Sequence, residues 1–201
     1  MAITRRQFAG HLVRGGMVIA AGGSLFIIEG CNAASVFASI QVWIPVGEKA
    51  FAGIVTLVGP FLPPGTAAIV TLVNASLTAL GDVIAEYMAA SAAAKSTLLG
   101  KIQTALTAVS DNISNFLAAL NLSGNPLIAV ISGLAQIILS TIAAFMAALP
   151  APVAGAMTIK KSFVLSGVTF PIVPKMRTVA QFKASYNAIA DANNHPEVDL
   201  Q

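Results

Sequence analysis

Two long runs of this chain carry no charged side chain, Phe51 to Gly81 and Asn112 to Ile159. A helix built from such a run cannot face water around its whole girth, so its apolar side chains must be covered by other helices, by lipid or by another molecule. The runs are diluted by Ala, Ser, Thr and Gly, and Pro60, Pro63 and Pro64 interrupt the first. Leu127 to Leu149, inside the second, is nevertheless long enough to cross a hydrocarbon core of about 30 Å. Buried core helices and bilayer-spanning helices are both open on this evidence, and the dilution favours a core.

Charge narrows the partners. The whole chain has 11 Lys+Arg and 8 Asp+Glu. Arg5, Arg6, Arg14 and Glu29 all precede residue 32, however, which leaves eight basic and seven acidic side chains for residues 32–201. The basic balance thus belongs mostly to the N-terminal segment, and a nucleic-acid partner is not expected. One local excess survives: Asn112 to Ala190 contains no acid but includes Lys160, Lys161, Lys175, Arg177 and Lys183. These five are candidate contacts for an anionic surface. The plainer reading is that lysines along an exposed hairpin edge deter sheet-to-sheet pairing.

Periodicity predicts a mostly α fold, a bundle or set of hairpins of apolar, Ala-rich helices. Asn32 to Val46 reads as a short apolar helix and connector ending at Pro45, and Glu48 to Gly59 as a helix stopped by Gly59-Pro60. Pro63-Pro64-Gly65-Thr66 is a turn with Thr66 as N-cap. Val70, Val73, Leu77, Leu80, Ile84 and Tyr87 then repeat at spacings of three and four, as do Leu99, Ile102, Leu106, Val109, Ile113, Phe116 and Leu120. The second seam is displaced by one residue, which predicts two helices with a break at Ser96 rather than one long helix with a stutter.

Asn121 to Pro126 is a turn, and Leu127 to Leu149 is the next helix. Beyond it the period becomes alternating. Lys161, Phe163 and Leu165, a Ser166-Gly167 turn, and Val168, Phe170 and Ile172 predict a β-hairpin within residues 158–173, with Phe163 opposite Phe170. An amphipathic helix with Val179, Phe182, Tyr186 and Ile189 follows, then a loose polar tail over 193–201. The expected division is a leader over 1–30, a tether and short apolar segment over 31–46, and one helical domain over 47–192.

The N-terminus carries the most specific text. Thr4-Arg5-Arg6-Gln7-Phe8, a basic region free of acids, precedes an apolar segment from Met17 to Ile28 that is too short to span a bilayer. The arginine pair followed by Phe8 resembles the twin-arginine signals of bacteria, with Ala9 and Gly10 where such signals usually show Leu and Lys. That resemblance implies passage of a folded protein through the twin-arginine translocase. Ile28-Glu29-Gly30-Cys31 resembles a lipobox, at which lipoproteins are cleaved and acylated on the cysteine; Glu29 departs from it. The alternative is an ordinary signal cleaved near Ala33, Ala34 and Ser35. Cys31 is the only cysteine, so no intrachain disulfide can form.

Catalytic chemistry is sparsely supplied. The one histidine after residue 31 is His195, in the polar tail, where nothing holds an imidazole for triad chemistry. Asp82 and Glu86 lie four apart on one helix without the Glu-x-x-His partner of helical di-metal sites, and they read as a solvated face. No phosphate-binding glycine loop follows a strand. No catalytic, cofactor or metal residue is expected. The leading expectation is an exported, lipid-anchored protein on the periplasmic or cell-surface side of a bacterial membrane, with a structural or interaction role toward a second copy or an envelope partner. A membrane-inserting or pore-lining protein is the alternative, and a carrier of an apolar ligand is the third.

Overall fold

Pro45 does not stop the first helix. In the computed structural model, which describes residues 33–150 and 159–201, helix α1 runs without interruption through Ala33–Val58. Proline removes the N–H that would bond the carbonyl of Gln41. Both Pro45 and Gln41 lie on the exposed side of the helix, where water can compensate a lost main-chain bond. The turns on either side are held by burial of Phe37, Ile40, Trp43, Ile44, Ala50 and Phe51, and this packing outweighs the local penalty. Of the expected connector at 31–46, residues 33–46 are therefore helix.

A 3-10 turn, Gly59–Phe61, leads to α2, Thr66–Ala89. Gly65, at φ 90, is its N-cap, and Thr66 lies one position inside, its hydroxyl donating to the carbonyl of Pro63 at 2.8 Å. The break before α3, Ala92–Ala119, is present, but Ser91 rather than Ser96 stands at the cap. α2 and α3 pack lengthwise through the two seams, with Val73, Leu77, Leu80 and Ile84 meeting a face that includes Ile102, Leu106, Val109, Ile113 and Phe116. Val70, Tyr87 and Leu99 are only half-buried at the ends of those seams.

Helix α4, Leu127–Ala148, is the centre of the bundle. It touches α1, α3, strand β2 (Val168–Pro171) and α5 (Val179–Ala192). Strands β1, Ser162–Leu165, and β2 pair antiparallel in the predicted register, with Phe163 opposite Phe170 and ring centroids 5.3 Å apart. Ser166 at φ 50 and Gly167 at φ 80 make the two-residue turn. The Ser166 hydroxyl accepts from the N–H of Leu122 at 2.8 Å and donates to the carbonyl of Leu120 at 3.2 Å. The hairpin turn is thereby tied to the loop that ends α3. Gln103, buried on α3, donates to the carbonyl of Pro150 at 2.8 Å and fixes the other end of α4.

Helix α5 starts with a reciprocal cap in which Thr178 and Gln181 satisfy each other's main chain. Phe182 and Tyr186 face inward from it. The Tyr186 hydroxyl donates to the carbonyl of Ala50 on α1 at 2.7 Å. Gly53 makes room for this contact, since a Cβ there would lie 2.6 Å from the Tyr186 oxygen. The segment expected to be a loose tail is instead docked. Val198 and Leu200 are buried, a 3-10 turn spans Pro196–Val198, and Asn187 exchanges two hydrogen bonds with the main chain of Leu200. Two apolar side chains in alternate positions are enough to seat a short segment when a carboxamide satisfies its backbone.

Candidate functional site

The five basic residues singled out in the sequence do not present five free charges. Lys160 pairs with Asp111 of α3 at 2.9 Å. The Lys183 ammonium donates to the main-chain oxygen of Gln201. Lys161 and Lys175 are exposed and make no ion pair among the described residues.

Arg177 is turned inward. Its Nη1 donates to the hydroxyls of Ser140 at 2.8 Å and Thr141 at 3.2 Å on α4, and to the carbonyl of Lys175 at 3.3 Å. Its Nε is buried with no acceptor, and burial holds its pKa below the usual arginine value. The main chain supports this placement, because the N–H of Lys175 donates to the carbonyl of Ser140 at 3.1 Å. The strand-like segment between β2 and α5 is thus pinned along α4, and the guanidinium is the pin.

Beside Arg177 lies a cleft of about 510 Å³ between α1 and the start of α5, with Val42, Trp43, Met176 and Val179 among its walls. Trp43 is 1% exposed, and its ring meets Phe145 and Phe182 edge-on. The space for the indole is made by Gly47, where a Cβ would fall 2.7 Å from the ring. Sequence reading passed over this cleft because Trp43 and Arg177 are far apart in the chain. The readable signals were the lone tryptophan one turn before a glycine and the Thr178-x-x-Gln181 cap.

Other charged groups pair at the surface. Glu86 lies 4.0 Å from Lys101 across α2 and α3, an exposed pair of small energetic value. His195 contacts Glu197 at 2.8 Å, which holds that carboxylate below its ordinary pKa. No group of three metal-ligating side chains occurs among the described residues. Arg5, Arg6, Phe8 and Cys31 lie outside the described residues. No protein-family model matches the chain, and neither a curated protein nor a solved structure shows significant similarity to it.

Proposed function

We propose that the protein is exported by the twin-arginine route, anchored through acylated Cys31 to the outer face of a bacterial membrane, and acts there by contact rather than by catalysis. One observation carries the reading: the compact helical unit is Asn32–Gln201, and it begins directly after the Cys31 motif. A lipobox cleavage would release that unit whole. Two or three acyl chains, at about 0.8 kcal/mol per buried methylene, would hold it where a single chain would not. Of the five basic residues, Lys161 and Lys175 are then the exposed cations available to anionic headgroups.

Mass spectrometry of the mature protein tests this reading. The expected N-terminus is an acylated Cys31, and changing Arg5 and Arg6 together to lysine should strand the precursor in the cytoplasm, since lysine keeps the charge and loses the guanidinium fork. An unmodified N-terminus near Ala34, or normal export of the double variant, would refute it.

A second reading, membrane insertion, is favoured by α2. Among the described residues three helices are long and apolar enough to cross a membrane, and α2 has only 22% of its apolar window buried.

A further inference from the structure

We propose that the cleft between α1 and the start of α5 binds a small organic anion with an apolar body, of the carboxylate class. Its volume, about 510 Å³, falls within the ordinary range of ligand sites, about 300–1,000 Å³. Its walls supply both halves of such a ligand's chemistry. Val42 and Met176 form an exposed apolar lip. Two of the polar residues in the wall, Trp43 and Arg177, each hold one buried N–H that lacks an acceptor.

Two residues of the cleft wall each carry a buried N–H without an acceptor, and the N-terminus of α5 lies beside them. Trp43 is buried and its indole N–H has no partner. Arg177 has its Nη1 committed to Ser140 and Thr141 while its Nε–H is buried and unpaired. At the N-terminus of α5, the Thr178 side chain takes the N–H of Gln181 and its carbonyl takes that of Phe182, so the cap leaves the N–H groups of Val179 and Ala180 without an intrahelical acceptor. No acidic side chain lines the cleft. Buried donors are nearly always paired in a native protein. An acceptor supplied from outside, with negative charge to match Arg177, would complete the set. A guanidinium already fixed on α4 is preorganised for it.

The site is independent of how the chain is anchored. Trp43 is the only tryptophan, so its fluorescence reports occupancy directly. Octanoate titrated into the purified full chain should give a saturable change in that emission and a matching calorimetric isotherm. Octyltrimethylammonium, with the same tail and the opposite charge, should give neither. Arg177→Met should weaken octanoate by about tenfold or more, the scale of a lost charged contact. Because that change also removes a tie to α4, the exposed lip is the cleaner probe. Val42→Glu should weaken octanoate by at least about tenfold with unchanged melting, while Val42→Lys should retain it. Equal binding of the ammonium compound, no saturable signal at about 10 mM octanoate, or indifference to Val42→Glu would overturn the proposal.

Discussion

Helices α2 and α4 are similar in length and are written in similar residues, yet the apolar window of α4 is 72% buried and that of α2 only 22%. Hydroxyls do not separate them. On α4, Ser132, Ser140 and Thr141 donate back to carbonyls of their own helix; on α2, Thr71, Ser76 and Thr78 do the same. A hydroxyl satisfied within its own turn imposes little desolvation cost, so either helix is compatible with water, protein or lipid outside it. The difference comes from the rest of the chain. The hairpin and α5 return to α4 and complete its cover, whereas α2 has α3 along one side and a lesser contact with α1. Its outer face, with Leu72 and Met88 exposed, is left uncovered among the described residues.

A charge placed in each helix should break the resemblance most forcefully. Ile138→Asp, at a fully buried position of α4, should cost more than about 4 kcal/mol and abolish cooperative unfolding at ordinary temperature. Leu72→Asp, at a 54% exposed position of α2, should stay within about 0.5 kcal/mol. Denaturant titration of the two variants reads both values, and equal losses would erase the distinction.

Alanine substitutions sharpen the comparison by dividing α2 into two faces. Leu77→Ala, on its buried side, should cost about 2–5 kcal/mol, as should Leu106→Ala and Ile113→Ala across the seam on α3. Met88→Ala, on the outer side, should be nearly neutral by the same titration.

The smallest effect concerns the phenol that closes α5 against α1. Tyr186→Phe removes the bond to Ala50 and should cost about 0.5–1.5 kcal/mol near neutral pH. Burial, aided by the negative charge of Asp199, pushes the Tyr186 pKa up from 10.0. The folded state therefore keeps the proton that the unfolded chain gives up. Its contribution is full below about pH 10 and is lost as pH rises through the higher folded value. Alkaline unfolding of Tyr186→Phe should accordingly show a flatter pH dependence than the parent above about pH 10.

Local chemistry was legible wherever it agreed with the tertiary structure. The alternation around Ser166-Gly167 implied both the hairpin and its register, because a two-residue turn and one apolar face leave no second pairing. The two seams implied α2 and α3 for the same reason. Pro45 misled, since a penalty of about 3 kcal/mol is smaller than the burial available to the aromatic side chains around it. The 193–201 segment misled because Val198 and Leu200 are too few to make a pattern. Asn187, which receives them, belongs to another element. At the candidate site, Arg177 was visible as a charge but its direction was not; the hydroxyls of Ser140 and Thr141 that turn it inward were read as dilution of an apolar helix.

The most direct test of apolar helices serving as the core of an independently folded unit is alkaline carbonate extraction of residues 32–201 produced without the first 31. The helical unit should appear in the supernatant, with the proton exchange of α4 amides slower than that of α2. Retention of the polypeptide in the membrane pellet after extraction would contradict a protein core and give α2, with its uncovered face, to the bilayer.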